Sequence, residues 1–252
     1  MKKVSIITVC FNSEATIRDA IDSVLAQNYP RVEYIIVDGA SKDGTLGIVK
    51  EYGGKIDVVI SEPDKGIYDA MNKGIRAASG DVIGMLNADD FYIDDSAITQ
   101  LINCMELAGT DTVYADLLMV DRKNTERVLR HYDSSRFSLD RLRYGWMPAH
   151  PTFIVKRELY QTYGGFSLDY SIAADFEMVV RLLYVAGASY AYLPAVVIKM
   201  RIGGASTKGL KSSLVLNREI VRACRANGLK TSLARLLLKV PAKLLEYLGK
   251  SG

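Results

Sequence analysis

An acidic cluster directly behind an apolar segment is the part of this sequence whose chemistry is easiest to name. Residues 82–86 have the composition of a buried strand, and Asn87, Asp89 and Asp90 follow at once. Their oxygens suit a hard divalent cation such as Mg²⁺ or Mn²⁺, which proteins hold through one or two carboxylates together with substrate phosphates. A polar turn with a helix cap is the alternative interpretation, because Asn and Asp are also the commonest turn residues.

Alternating strands and helices must position this cluster. Four apolar, β-branched runs are expected to be strands, at 4–10, 32–37, 56–60 and 82–86. Helical patterns separate them, which is typical of βαβ units and predicts a parallel sheet in an α/β fold. Ligands of such sheets bind beyond the carboxyl ends of the strands. Those ends carry four polar clusters, at 10–12, 38–43, 61–66 and 87–90.

Composition limits the class of protein. The chain has 252 residues, 49% of them hydrophobic and 24% charged, which is ordinary for a globular protein and excludes disordered and low-complexity classes. Its three cysteines lie far apart, so no disulfide framework or cysteine metal site is predicted. The apolar run after Met1 is short and polar residues interrupt it, so we interpret it as a first strand rather than a signal peptide. We therefore expect a cytoplasmic protein.

Two nucleotide-binding motifs are absent from the sequence. It contains no G-x-x-x-x-G-K-[ST] and no G-x-G-x-x-G after the first strand. Their absence argues against a P-loop hydrolase and makes dinucleotide binding a poor fit.

Four motifs stand in the order seen in family 2 glycosyltransferases. They are VSIITVCFN at 4–12, VDGASKDGT at 37–45, DKGIYDAMNKGI at 64–75 and LNADD at 86–90. The chain resembles that family, and the resemblance implies the GT-A fold, a Rossmann-like and mostly parallel sheet flanked by helices. It also implies a catalytic domain over 1–205, with a nucleotide-sugar-binding part at 1–110 and an acceptor-binding part at 111–205. Residues 206–252 would then form a basic, amphipathic helical extension.

The resemblance implies transfer of a sugar from a nucleotide diphosphate, usually a UDP-sugar, to an acceptor hydroxyl with inversion. Asp89 and Asp90 would hold Mn²⁺ or Mg²⁺; Asn87 replaces the first acid of the family's Asp-x-Asp, so the choice between the two aspartates stays open. The residues expected to contact the donor are Thr8, Phe11, Asn12, Asp38, Lys65, Asn72, Asn87 and Asp89. Structural roles compete with several of these, such as a core position for Thr8 or an exposed loop position for Lys65.

The resemblance also assigns a base. An inverting transfer needs a group that takes the proton from the attacking hydroxyl, and Asp175 matches the family's catalytic carboxylate, although Ala174 stands where relatives often carry Glu. A helix cap is the competing role for Asp175. Glu177 is expected to be structural or to face the acceptor. His150 and Arg201 are further candidates for contacts with the acceptor or the diphosphate, Arg201 as part of a flexible loop.

The charge of the chain is unevenly distributed. Residues 201–252 hold eleven Lys and Arg against two Glu, a net charge of +9, so the first 200 residues carry −6. Leucines recur at helical spacing from Leu229 onward, which predicts an amphipathic helix on an anionic membrane surface or, alternatively, one packed on the catalytic domain. A membrane surface would suit a lipid-linked sugar acceptor at the inner face of the cytoplasmic membrane. The Gln-x-x-Arg-Trp pattern of processive synthases is absent, which favours addition of one sugar.

Two other functions stay open at this point. A nucleotidyltransferase has a similar sheet, but it would normally carry a Gly-rich basic loop where this chain has residues 12–15. A non-enzymatic protein could bind an anionic partner through the basic extension. Nucleic acid is not the expected partner, because Tyr247 is the single aromatic residue of the predicted helix after Leu229 and single strands are bound on aromatic platforms.

Overall fold

The computed structural model describes residues 1–203 and 210–237. Its first half is a run of βαβ units. The strands are β1 (Val4–Cys10), β2 (Val32–Asp38), β3 (Val58–Ser61) and β4 (Val82–Asn87), and the helices between them are α1 (Ile17–Leu25), α2 (Thr45–Glu51) and α3 (Ile67–Ala77). All four strands run parallel in the order β3-β2-β1-β4. The α/β class and the four predicted strands are confirmed, with boundaries that shift by up to two residues.

The second half extends the same sheet. Its strands are β5 (Asp90–Tyr92), β6 (Thr112–Val120), β7 (Val128–Tyr132), β8 (Ile154–Lys156) and β9 (Tyr190–Arg201). Its helices are α4 (Ala97–Ala108), α5 (Arg157–Tyr163), α6 (Ala174–Val179), α7 (Leu210–Ala226) and α8 (Leu233–Leu237). The order continues from β4 as β8-β6-β9-β5, with β7 on β6. β8 is antiparallel to β4, while the long pair β6 and β9 is parallel again.

Burial explains this arrangement. Every residue of β1 is buried, as is usual for a central strand covered by helices on both faces. Alternate residues of β1 face opposite layers, so Ile7 packs toward α3 and Ile6 toward α1. At Gly74 of α3 an added Cβ would lie 2.4 Å from Ile7 Cγ2. The glycine therefore lets α3 approach the sheet closely.

The helix that contains Asp175 has two parts. Residues 174–179 are α-helical, and residues 180–185 continue as a π-helical segment. Such segments are rare and occur frequently at functional sites.

The C-terminal segment packs on the rest of the chain where it is described. Ile220, Ala223 and Cys224 of α7 and Leu236 of α8 are buried in the same core cluster as Phe176 of α6. Most of the predicted amphipathic helix, residues 238–252, lies outside the described residues, as do residues 204–209 of the predicted flexible loop. Among the helices of the described ranges, none combines the length and apolarity needed to cross a bilayer.

Candidate active site

A cleft of about 560 Å³ lies at the carboxyl ends of β1 and β4. The ends of β1 and β4, the start of α3, the β6–β7 connection, the residues before α6 and the end of β9 line it. Eight of the predicted site residues belong to this lining: Phe11, Asn12, Asn87, Asp89, Asp90, His150, Asp175 and Arg201. The strand ends therefore meet as the sheet topology predicts.

The acidic cluster after β4 has one accessible and one buried carboxylate. The Asp89 side chain is 29% exposed and lines the cleft, whereas Asp90 is 1% exposed. Asn87 Nδ2 donates a hydrogen bond to Asp90 Oδ2 at 3.1 Å. Burial, followed by the charge of Asp89, raises the pKa of Asp90 well above its usual value. Asp89 is thus the carboxylate that an incoming ligand meets first.

The oxygens at this strand end fit a divalent cation. Asn87 Oδ1 and Asp90 Oδ1 are buried and have no hydrogen-bond partner among the described residues. Buried polar atoms of this kind are few in native structures and call for a specific explanation, such as a bound ion. Within the described residues there is no group of three or more His, Cys, Asp or Glu that could hold a metal. Mg²⁺ is commonly bound by one or two carboxylates plus substrate phosphates, and Asp89 and its neighbours provide such a set.

Arg201 has a different position from the one expected. It ends β9, is 6% exposed, and forms an ion pair with Asp19 of α1. Its Nη1 donates to the Asp89 backbone carbonyl at 3.0 Å, and its guanidinium lies 4.8 Å from the centre of the Phe91 ring. The side chain is therefore anchored beneath the acidic cluster rather than carried on a flexible loop.

Arg122 is the basic side chain on the open side of the same cluster. It belongs to the connection between β6 and β7, lines the cleft, and places Nη1 3.9 Å from Asp89 Oδ2. Its side chain is about half exposed. A guanidinium in this position suits an anionic group that enters the cleft beside Asp89.

Asp175 and His150 also line the cleft. Burial raises the pKa of Asp175, and the nearby His150 partly counteracts this rise. Burial lowers the pKa of His150, whose ring meets the Phe166 ring edge to face at 5.6 Å. Asp175 does not cap α6, since the cap position is Ala173 and Asp175 Oδ1 accepts a bond from the Phe176 amide in the first turn. A carboxylate with a raised pKa at the edge of a cleft is suited to accept a proton.

The ends of β1 and β2 form a crowded polar corner. Phe11 is 59% exposed and lines the cleft. Asn12 has a positive φ of 49°, which Asn tolerates better than most residues, and its Oδ1 accepts a bond from the Lys42 amide at 2.9 Å. Asp38 is fully buried and accepts bonds from Ser41 and from Ser61 Oγ, the latter at 2.8 Å. Asp38 therefore orders this corner from inside.

Gly39 leaves room for two cleft residues. A Cβ built on Gly39 would lie 2.3 Å from Asp64 Oδ2 and 3.4 Å from a Phe11 ring carbon. Asp64 is held in turn by a bond from the Gly66 amide to its Oδ1 at 2.8 Å. Because residue 39 has no side chain, Phe11 and Asp64 can both pack against its backbone.

Five predicted residues lie outside the cleft lining: Asp38, described above, and Thr8, Asn72, Lys65 and Glu177. Thr8 is buried and accepts a bond from Tyr34 OH at 3.1 Å. Asn72 exchanges two bonds with the Phe166 backbone, both at 2.8 Å, and Lys65 is exposed on its loop. Glu177 is buried in an ion pair with Arg181 at 3.0 Å.

Sequence reasoning did not single out several residues that the fold brings to the site. Asp64 and Tyr68 line the cleft and stand inside the quoted motif at 64–75, so that motif was the available signal. Arg122 and Asp19 had no such signal, because Arg122 follows β6 and Asp19 contacts Arg201 at the end of β9, and β6 and β9 are joined by long-range pairing. No sequence motif indicated Glu219 of α7 either, which accepts hydrogen bonds from backbone amides just before α6.

Comparison with known proteins identifies the class first. Over 99% of this chain, the structure superimposes on S. aureus TarS crystallised with UDP-GlcNAc, with a TM-score of 0.71, 18% identity and 73% of that chain covered. A mannosyltransferase from Pyrobaculum calidifontis, crystallised with GDP-Man and Mn²⁺, matches with a TM-score of 0.64 and 19% identity over 97% of this chain and 80% of that one. These likenesses establish the fold, which is that of GT-A glycosyltransferases.

Sequence comparison then identifies the family. The model of glycosyl transferase family 2 matches residues 5–168. A PGL/p-HBAD biosynthesis glycosyltransferase of Mycobacterium tuberculosis is 30% identical over 200 residues, which cover 74% of this chain and 75% of that protein. An uncharacterized glycosyltransferase of the same species is 32% identical over 184 residues, covering 72% and 69%. The chain belongs to glycosyl transferase family 2, and of the functions that the sequence left open, glycosyl transfer is the one that its family carries out.

Proposed function

We propose that this protein transfers a single sugar from a nucleotide-diphosphate donor, a UDP-sugar, to an acceptor hydroxyl with inversion. One observation carries the proposal: the accessible carboxylate of Asp89 and the largely buried carboxylate of Asp175 line the same cleft at the ends of the parallel strands. The first suits a divalent cation that would bind the leaving diphosphate, and the second suits the proton of the attacking hydroxyl. Two carboxylates with such different surroundings are a common basis for divided roles in catalysis.

The donor is proposed to lie along the ends of β1 and β4. The exposed Phe11 ring offers a face for a nucleobase, and Asn12 and Asp64 offer polar contacts beside it. Arg122 then faces the diphosphate from the β6–β7 side. The nucleotide sugars bound to TarS and to the P. calidifontis enzyme support a donor of this chemical class.

Asp89 is the proposed ligand for Mn²⁺ or Mg²⁺, with Asn87 and Asp90 behind it. When bound, the ion supplies neutralisation of the charge that develops on the leaving diphosphate. Arg201 holds the Asp89 backbone in place, and Arg122 adds a positive charge on the open side. Asp175 accepts the proton of the acceptor hydroxyl during attack, which its raised pKa favours.

The acceptor is proposed to be a lipid-linked glycan at an anionic membrane surface. Within residues 212–237, α7 and the segment after it expose five cations, Arg218, Arg222, Arg225, Lys230 and Arg235. Two large apolar side chains, Leu214 and Leu233, are also exposed there, at 61% and 49%. Cations beside exposed apolar groups fit an anionic bilayer surface. Sedimentation with phosphatidylglycerol vesicles but not with phosphatidylcholine vesicles is the expected result, and equal sedimentation with both would contradict it.

Calorimetric titration of UDP with and without Mn²⁺ tests the proposed donor site. We expect binding that requires Mn²⁺ and that Asp89→Ala abolishes, with Asp95→Ala, an exposed aspartate outside the cleft lining, as the matched control. A screen of UDP-, GDP- and dTDP-sugars for release of the nucleotide then identifies the donor. No binding of UDP, GDP or dTDP in either condition would refute the proposed donor class.

A further inference from the structure

Glu219 of α7 binds the segment that leads into α6. Its carboxylate accepts three backbone hydrogen bonds, from the amides of Ser171, Ile172 and Ala173, at 2.8, 2.9 and 2.9 Å. Burial alone would raise the pKa of Glu219, but these donors outweigh it and lower the pKa below its usual value. A single carboxylate thus satisfies three consecutive amides two to four residues before Asp175.

A residue of the cleft lining, Tyr68, holds the same segment from α3. Tyr68 of α3 donates from its hydroxyl to the Ile172 carbonyl at 2.5 Å. The two peptide groups of Ile172 are therefore fixed between α3, which borders the donor part of the cleft, and α7. One helical turn after Glu219, Arg222 donates to the Asp169 carbonyl and lies 4.2 Å from the centre of the Tyr170 ring.

These contacts bear on the orientation of Asp175. Asp175 is at the second position of α6, and its Oδ1 is already held by the Phe176 amide. Its direction into the cleft therefore depends on where the first turn of α6 begins. Three titratable groups influence Asp175 electrostatically. Tyr68 of α3 and His150 of the 150–152 turn belong to the cleft lining, and Glu219 belongs to α7.

We propose that Glu219 is a positioning residue for Asp175, acting through the three amides of residues 171–173. The inference rests on the proposed role of Asp175 as the base. It makes α7 part of the catalytic apparatus, although the sequence places this helix in an extension outside the catalytic domain. A shift of a reacting group by about 1 Å can cost on the order of 100-fold in rate, so the loss of this anchor reduces turnover without touching the donor.

Two variants separate the reach of Glu219 from its charge. Glu219→Gln keeps the length and one acceptor oxygen but removes the charge, and Glu219→Asp keeps the charge but withdraws it by one methylene. We expect each to lower kcat by on the order of 10- to 100-fold, with the donor KM and the Kd for UDP with Mn²⁺ within about twofold of the wild type. Glu158→Gln, the same change at an exposed position of α5, is the control and leaves kcat unchanged.

The pH profile distinguishes positioning from a general loss of structure. The negative charge of Glu219 raises the pKa of Asp175. Glu219→Gln therefore moves the acidic limb of kcat/KM to lower pH, whereas Glu219→Asp leaves that limb closer to its wild-type position. A kcat equal to the wild type in both variants, or a fall in kcat matched by the same fall in UDP affinity, overturns the proposal.

Amide hydrogen exchange tests the anchor without any assay of transfer. In the full chain, Glu219→Gln should speed exchange in the peptide that contains residues 171–173, while peptides from β1 and β4 keep their wild-type rates. Unchanged exchange in that peptide means that Glu219 does not order the segment, which overturns the inference by itself. A wild type that binds no nucleotide and transfers no sugar refutes the proposed function instead, and the exchange result still reports on the anchor.

Discussion

The Arg201 side chain and the Asp89 backbone are joined by a hydrogen bond of 3.0 Å from Nη1 to the carbonyl oxygen. Arg201 is the last residue of β9, and Asp89 follows β4, the last of the four parallel strands in the first half of the chain. An ion pair with Asp19 holds the same guanidinium from α1. One side chain thus ties the acidic cluster to two elements far away in the sequence.

Arg201→Lys is expected to weaken metal-dependent UDP binding by about tenfold, equivalent to about 1.4 kcal/mol. A lysine keeps the charge but cannot contact Asp19, the Asp89 carbonyl and the Phe91 ring together, because it lacks the planar fork of donors. Calorimetry with UDP and Mn²⁺ measures the effect. Arg218→Lys, at an exposed site on α7, is the matched control. UDP affinity equal to the wild type in Arg201→Lys would show that the anchor does not matter for binding.

Asp89→Asn and Asp90→Asn are expected to differ strongly. Asp89 is 29% exposed to the cleft and Asp90 is 1% exposed, so the first carboxylate is accessible to an ion and the second supports it from behind. We expect Asp89→Asn to abolish Mn²⁺-dependent UDP binding and Asp90→Asn to reduce it by less than about tenfold. Titration of Mn²⁺ at a fixed UDP concentration provides the measurement. The reverse ranking would make Asp90 the direct ligand.

Asp175→Asn is expected to lower kcat by about 10²- to 10⁴-fold, the usual contribution of a general base. The Kd for UDP with Mn²⁺ should stay within about twofold of the wild type, because the donor contacts lie on other strand ends. In the wild type, Asp175 acts as a base only when deprotonated, and its pKa is raised by burial. The acidic limb of kcat/KM is therefore expected above the ordinary Asp value of 3.8. Full turnover in Asp175→Asn would remove it from the mechanism.

The sequence predicts the first half of this fold well because each element there is specified locally. The strands 4–10 and 82–86 are apolar runs with polar ends, and neighbouring strands of βαβ units must be parallel, so Phe11 and Asp89 meet at one edge. The second half depends on long-range pairing, such as β6 with β9 and β4 with β8, which no local pattern encodes. Hence Arg122 and the buried position of Arg201 could not be foreseen.

Glu219 illustrates the same limit. Its spacing on α7 indicates a polar position on a helix, but its partners are backbone amides about 46 to 48 residues earlier. Backbone groups carry no sequence signature, so a contact of this kind is visible only in the folded chain. Asp175, by contrast, is a candidate that a short motif predicts, and the observed start of α6 excludes a cap role for it.

Glu33 is expected to make stability depend on pH. Burial would raise the pKa of Glu33, but hydrogen bonds from Lys3, Ser5 and Ser79 outweigh it and lower the pKa from 4.5 to about 2. The folded state thus favours the charged form, so this stabilisation is complete above pH 4.5 and is lost as the pH falls toward 2. By linkage its upper limit is about 3 kcal/mol.

Glu33→Gln is therefore expected to lower the free energy of unfolding by up to about 3 kcal/mol at pH 7 and by much less near pH 2.5. Denaturant unfolding at several pH values measures the difference. Glu51→Gln serves as the control, because Glu51 is exposed and its ion pair with Arg18 lies on the surface. A cost of Glu33→Gln that is the same at both pH values would contradict the assigned role of its charge.

Gly39→Ala is expected to weaken nucleotide binding more than it affects stability. The new Cβ would lie 2.3 Å from Asp64 Oδ2, so Asp64 must turn away, and it would also press on the Phe11 ring at 3.4 Å. Both side chains line the cleft, which places the strain in the proposed base pocket. We expect a loss of UDP affinity of about tenfold with a change in unfolding free energy below about 1.5 kcal/mol, since Asp64 can rotate toward solvent.

Gly47→Ala in α2 is the control: its Cβ meets nothing within 4 Å, so it should leave UDP affinity unchanged and stabilise the helix by about 0.5–1 kcal/mol. Equal UDP affinities in the two variants would mean that the corner formed by Phe11 and Asp64 is not where the nucleotide binds.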